Sequence, residues 1–343
     1  MNTLIVGEVS TILYALGIPK KKINKIILIN ICPELKRAGV RPFAESLKLA
    51  RLISSILGID FESYETNDAE FVSKLITSKT IVDTSIISYF KINKAERKGC
   101  AVLSASIEHS FVNSPSIFSG LGPGLKKRID LHRKIFLPLK IFSLHSMGGP
   151  NKILSPIKLQ SINFDSFYER SRNLLPQILD ALDDGTGTFT QNIGDPRADK
   201  TLFVLPRPKE IGGSNTLNMQ IISDATIYST TYGFDQIIVK NHPMDSFDYS
   251  KLSPKIVSTI PIIYLSRASE RMFPLELLVH YFNEFNLYGC FSTVFHTLNG
   301  FLCEIPHIYL PTNFPLEIYA VSSILPYVPH IPHYLPWDMN VQG

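Results

Sequence analysis

Apolar positions along this 343-residue chain gather into short runs rich in Val and Ile, separated by longer stretches of mixed apolar and polar character. Short apolar runs bounded by turn residues suit strands buried on both faces, whereas apolar positions recurring at a spacing near 3.6 suit amphipathic helices. On this basis strands are expected at Thr3–Val6, Lys25–Ile31, Thr80–Val82, Ala101–Leu103, Thr201–Leu205, Gln236–Lys240 and Pro261–Leu265. Helices are expected at Ala44–Leu57, Ala69–Ile76, Phe167–Leu179 and Pro274–Phe285. The alternation occurs in both halves, so the pattern implies βαβ units, parallel sheets and an α/β fold class.

Turn chemistry suggests where the chain divides. Between Gly185 and Asn215 it is dense in Gly, Pro, Asn and Asp, a composition of connecting loops around one strand. A boundary near residue 195 gives a first domain of 1–195 and a second of 196–325. Pro311, Pro315, Pro326, Pro329, Pro332 and Pro336 then stand among aromatic and aliphatic residues. The stretch 326–343 is expected as an extended, Pro-rich tail packed across the domains.

Composition narrows the class of protein. With 45% hydrophobic and 19% charged residues, the chain carries enough apolar surface for a core, which excludes wholesale disorder. Apolar runs such as Ile26–Ile31 stop far short of the roughly 20 residues that a membrane-spanning helix needs. The opening MNTLIVGEVS lacks a basic start and a small-residue cleavage pattern, so a cytoplasmic location is expected. Cys32, Cys100, Cys290 and Cys303 form no CxxC pair and read as buried thiols. A net charge of +4 and a pI near 8.7 suit anionic ligands or an anionic membrane face without identifying either. His330 and His333 have no accompanying carboxylate or thiol pattern, so no metal site is expected.

Three clusters can carry chemistry. In Leu182-Asp183-Asp184-Gly185-Thr186-Gly187, paired carboxylates precede glycines that let backbone approach a ligand. Like charges this close tend to raise one carboxyl pKa, which suits a proton acceptor. The same residues also read as a helix stopped by a glycine. In Gln236-Ile237-Ile238-Val239-Lys240-Asn241-His242-Pro243, the proline stiffens His242 just beyond a buried strand. That edge is where ligands bind in open α/β sheets, although a surface histidine in a plain turn fits equally well. Leu287-Tyr288-Gly289-Cys290-Phe291-Ser292-Thr293-Val294 reads as strand, tight turn and helix start. Ser292 and Thr293 there suit either an anion site or ordinary helix capping. Upstream, Glu276 sits in a helical first turn, able to accept from ribose hydroxyls or to complement the helix dipole.

Taken in order, Asp-Asp-Gly, Lys-x-His-Pro, Pro-x-Glu and Ser-Thr resemble the motif series of bacterial sialyltransferases. The pattern is most similar to the lipooligosaccharide sialyltransferase family and its polysialyltransferase relatives, over roughly residues 180 to 300. The resemblance implies a GT-B fold, two Rossmann-like domains facing across a cleft, with CMP-sialic acid held mainly by the second. It also implies inverting, metal-independent transfer with no cofactor. By position, Asp183 would be the general base, with Asp184 and Gly185 beside it at the substrate. His242 would contact the CMP phosphate and assist its departure, Lys240 would lie near the nucleotide, and Glu276 would bind the ribose. Ser292 and Thr293 would hold the phosphate.

The expected activity is therefore transfer of sialic acid from CMP to a terminal sugar, with galactose the first choice, on a lipooligosaccharide or capsular glycan. The expected partners are the CMP-sugar and an oligosaccharide or lipid-linked acceptor, and no nucleic acid. Lys126, Lys127, Arg128, Arg133 and Lys134, with Lys20–Lys22, suit either a solvated face or peripheral contact with the inner membrane. Rival readings are a CMP-Kdo or polysialic acid transferase of the same fold and a catalytically silent sugar-binding assembly subunit. A dinucleotide-dependent dehydrogenase would want GxGxxG after the first strand, which Leu4-Ile5-Val6-Gly7-Glu8-Val9 does not supply.

Overall fold

The apolar runs form two parallel sheets. The computed structural model describes residues 2–7, 9–18, 22–31, 43–93, 95–97, 99–104, 140–143, 159–161, 164–182, 193–208, 213–242, 245, 247–256, 258–267, 270, 271, 273–290, 292, 294–298, 301–304, 306–311 and 333–337. The chain divides into two compact units, Met1–Lys36 with Arg41–Leu182, and Asp183–Gly343 with Arg37–Val40.

In the first unit the order is β1 (Asn2–Val6), α1 (Val9–Tyr14), β2 (Ile23–Ile31), α2 (Phe43–Leu57), β3 (Asp60–Thr66), α3 (Ala69–Leu75), β4 (Thr80–Asp83), α4 (Thr84–Tyr89) and β5 (Ala101–Ser104). β6 (Lys140–Ser143), β7 (Leu159–Ser161), α5 (Phe164–Asn173) and α6 (Leu175–Leu182) follow. The strands pair in parallel in the order β3-β2-β1-β4-β5-β6-β7. Leu4, Ile5 and Val6 are all wholly buried, so both faces of the central strand are covered and it reads as an unbroken apolar run. On one face Ile5, Ile27, Ile29, Val82 and Val102 pack with Val72, Ile76, Ile86 and Phe90. α2 lies against β2 and β3, with α1 and α6 packed on α2.

The second unit holds β8 (Lys200–Leu205), α7 (Asn215–Tyr232), β9 (Gln236–Lys240), β10 (Ile262–Leu265), α8 (Leu275–Leu278), β11 (Glu284–Cys290), α9 (Val294–Thr297), β12 (His307–Pro311) and β13 (His333–Trp337). Its sheet runs β10-β9-β8-β11-β12-β13, again all parallel. In both sheets the first strand lies between the second and the fourth, which is the Rossmann-like order. α7 buries Leu217, Ile221, Ile222, Ala225 and Tyr228 against Leu202, Val204, Ile237 and Val239. On β8, Phe203 meets Phe282 and Phe285 edge to face, with ring centroids 5.5 and 6.3 Å away.

Each of the seven expected strands is present, with ends shifted by at most two residues. The helix expected over Pro274–Phe285 is instead one α-turn, a 3-10 turn at Val279–Tyr281, and then the start of β11. Glu276, His280, Asn283 and Glu284 are spaced like one polar face of a helix, and it is pairing with β8 from Glu284 onward that overrides this pattern. Phe167–Leu179 divides into α5 and α6, with Pro176 in the first turn of α6, where its missing N–H costs no helical bond. α7 carries few strong helix formers and five Thr or Ser among its last ten residues, which hid it from periodicity. It is fixed by Ser214, whose Oγ accepts from Leu217 N at 3.1 Å, and by Gly233 at φ 68° closing its carboxyl end. In the Pro-rich tail, β13 adds an edge strand in which Pro336 stands opposite Leu310. An edge position tolerates the missing donor.

Candidate functional site

Parallel strands deliver all their carboxyl ends to one sheet edge, and the crevice opens where the strand order reverses. In the second unit that reversal lies between β8 and β11. The two strands come unusually close at this edge. Gly289 has φ 126°, and a Cβ built on it would stand 2.3 Å from the Leu205 carbonyl oxygen. Only glycine satisfies both conditions.

Lys240 ends β9, and 5% of it is exposed. Its Nζ donates to the main-chain oxygens of Asn241 at 3.0 Å and Arg271 at 2.8 Å. Burial pushes its pKa down to about 7; Glu276 and Glu270 oppose that shift, and Arg271 adds to it. A neutral amine keeps two N–H donors, matching the two carbonyls it meets. The side chain expected near the nucleotide thus ties the segment after β9 to the segment after β10. Glu276 occupies the first turn of α8 and is 8% exposed, and its carboxylate acts electrostatically on Lys240. Glu270, 2% exposed, accepts from Arg267 N at 2.9 Å.

His242 is half-buried on the turn that follows. Its carbonyl accepts from Asp245 N at 2.9 Å. Asn241 Nδ2 closes the turn by donating to the oxygens of Asp245 at 3.3 Å and Phe247 at 2.6 Å. The Asp245 carboxylate accepts from Phe247 N at 3.0 Å through Oδ1 and from the Tyr249 hydroxyl at 2.6 Å through Oδ2. That hydroxyl accepts from Asn218 Nδ2 at 2.8 Å, and Asn218 also binds both the N–H and the C=O of Arg207, at 2.8 and 2.9 Å. Sequence reasoning missed Arg207, Asn218, Asp245, Tyr249 and Arg271. Asp245 and Tyr249 lie close enough behind His242 to have been suspected, whereas Asn218 meets them only through the fold.

Ser292 follows β11, half-buried, and its carbonyl accepts from Phe295 N at 3.1 Å. The helix start expected there is a single turn, α9. Lys240, His242 and Ser292 therefore share one sheet edge in one unit, and Glu276 is linked to it through Lys240. Asp183, Asp184, Gly185 and Thr293 lie outside the described residues.

No protein-family model matches the chain, and no curated protein does.

The corresponding edge of the first sheet is built differently. Asp83, 1% exposed at the end of β4, accepts from Gly7 N at 3.2 Å, from the Thr11 hydroxyl at 2.7 Å and from Ser85 N at 2.8 Å. Among the described residues, the Gly7 and Ser85 amides and the Thr11 hydroxyl beside the strand reversal are thus engaged by an internal carboxylate. Among the described residues no group of three or more His, Cys, Asp or Glu is placed to hold a metal ion. Cys100, Cys290 and Cys303 are free thiols, and burial pushes Cys100 and Cys303 up to about 11, away from thiolate chemistry. No helix among the described residues is long and apolar enough to cross a membrane.

Proposed function

We propose that this protein is an inverting sialyltransferase of GT-B type that moves sialic acid from CMP-sialic acid to a terminal sugar hydroxyl, galactose first, of a lipooligosaccharide or capsular glycan. The observation that carries this reading is the shared location of Lys240, His242 and Ser292 at the carboxyl edge of the second sheet, with Glu276 coupled to Lys240. Residues that the motif series spaces over about fifty positions are gathered where a Rossmann-like sheet binds its ligand. Two parallel sheets of like strand order support the GT-B assignment.

In this reading the departing cytidylate gains negative charge as the glycosidic bond breaks. His242 meets that charge as a hydrogen-bond donor and proton source, and Ser292 adds a hydroxyl. Glu276 accepts from the ribose hydroxyls. Asp183 takes the proton from the attacking sugar hydroxyl, so one carboxylate and one imidazole complete the transfer without requiring a metal. Asp184 and Gly185 shape the acceptor side, Thr293 adds a second donor to the phosphate, and Lys240 holds the loops that frame the nucleotide.

The test is direct. CMP-sialic acid should raise the melting temperature and support transfer to a galactose-terminated acceptor that persists in EDTA. Asp183→Ala should abolish transfer and keep CMP binding, whereas His242→Ala should weaken both. Stabilisation by CMP-Kdo alone would replace the donor, and wild-type transfer by Asp183→Ala would remove the base assignment.

A further inference from the structure

We propose that Asp245, Tyr249 and Asn218 are positioning residues that set the orientation of His242 and hold it in register with the loop after β8. The inference rests on the transferase reading for its catalytic consequence and on geometry alone for the positioning. His242 stands on a turn whose shape is determined by bonds from its neighbours. Its carbonyl is held by Asp245 N, and the Asn241 amide clamps the oxygens of Asp245 and Phe247. The Asp245 carboxylate is then the bracket by which this turn is attached to the rest of the unit. One oxygen holds Phe247 N within the turn, and the other takes the Tyr249 hydroxyl at 2.6 Å.

Tyr249 is the node. Its ring is 2% exposed in the core and meets Phe247 edge to face at 4.9 Å, so the hydroxyl cannot wander. That oxygen donates to a carboxylate and accepts from the Asn218 amide at 2.8 Å, giving a bond on each side in a buried setting. Hydrogen bonds to a charged partner are stronger than neutral ones, and chains of them reinforce one another. Asn218, 2% exposed on α7, spends the remainder of its amide on both main-chain groups of Arg207. Arg207 lies two residues beyond β8, beside the strand reversal. Three elements far apart in sequence are thus joined by side-chain bonds between buried atoms. Displacing the node releases the turn and the β8 loop from each other, and the backbone that carries His242 loses its fixed placement.

Tyr249→Phe tests this with little change of shape. In the transfer assay kcat should fall about ten- to a hundredfold, the scale of an ångström-sized misplacement, while KM for CMP-sialic acid changes by less than about threefold. In the ligand-free protein the His242 ring resonances should shift or broaden, with the remaining core resonances in place. Asp245→Asn serves as a second variant should the first fail to fold, and it should displace the same resonances. Unchanged His242 resonances in the folded variant would overturn the inference, as would an unchanged kcat. If the wild-type protein transfers no CMP-sugar, the transferase reading falls, yet the resonance comparison still decides whether this chain of side chains positions His242.

Discussion

The two sheets follow the same strand order and bury the same kind of apolar strand, but they treat their strand reversals in opposite ways. In the first unit a carboxylate, Asp83, occupies the reversal and absorbs the Gly7 amide, the Thr11 hydroxyl and the Ser85 amide. In the second unit the same edge carries Lys240, Arg207, Arg271 and the half-buried His242, with Glu270 and Glu276 as counter-charges. At the first edge those three donors are turned onto an internal carboxylate. At the second, Lys240 and Arg207 lie buried in the frame, and His242 and Arg271 are half-buried. Strand order specifies where a crevice can form, and the few side chains at the strand ends determine what it accepts.

The contrast can be broken at several depths. The largest effect is expected at Gly289, where a side chain would strike the Leu205 carbonyl in a backbone conformation that only glycine adopts readily. Gly289→Val should cost about 4 kcal/mol or more and leave little folded protein, read by denaturant titration. No other described glycine of either sheet sits inside a strand at such a φ, so the strain belongs to the second unit's reversal.

Next comes Asp83. Asp83→Ala strands a half-buried amide and a buried hydroxyl and removes the cap of α4, for a loss of about 3 kcal/mol. In protein that still folds, CMP-sialic acid binding should be unchanged by calorimetry, because the donor is assigned to the second unit. Weakened binding would show that the first reversal is more than a structural closure.

Lys240 should give a pH signature. Its folded pKa near 7 lies below the ordinary value of 10.5, so the unfolded chain holds the proton more tightly. The contribution of this group to stability is therefore least below about pH 7 and rises as the pH climbs toward 10.5, by up to about 1.4 kcal/mol per unit. Urea unfolding between about pH 7 and 9.5 should show that rise in the wild type, and Lys240→Met should flatten it. An unchanged slope would mean that the ammonium is not desolvated where it ties the two loops.

The smallest expected effects are alike in the two units. Asp68 accepts from Glu70 N at 2.9 Å and Phe71 N at 3.1 Å to begin α3, as Ser214 accepts from Leu217 N to begin α7. Asp68→Ala and Ser214→Ala should each cost about 1 kcal/mol in denaturant titrations. A much larger loss at Ser214 would tie α7's start to the Arg207 and Asn218 contacts rather than to capping alone.

What was legible beforehand follows from local chemistry. β1, β2, β8 and β9 were readable because strands buried on both faces must be apolar throughout, and Ile26–Ile31 or Gln236–Lys240 admit few alternatives. β3 was missed because it lies at an edge, where Asp60, Glu62, Glu65 and its other polar residues are tolerated. The run Pro274–Phe285 misled because Glu276, His280, Asn283 and Glu284 are spaced like one polar helix face, whereas pairing with β8 takes its end into β11. At the site, Lys240, His242 and Ser292 were flagged by their positions just beyond apolar runs. Asn218 was not, since nothing local distinguishes it from any polar residue near a helix start.

By itself the sequence determined the α/β class and the carboxyl-edge placement of Lys240, His242 and Ser292, because strand ends and turn residues act over a few positions. Only the tertiary structure decided that Lys240 spends its nitrogen on two carbonyls, that Asp83 fills the first reversal, and that Asn218 reaches Tyr249. Those outcomes depend on which buried polar groups meet across elements dozens of residues apart. A buried donor or acceptor takes the partner that packing brings to it, and no local pattern records that choice.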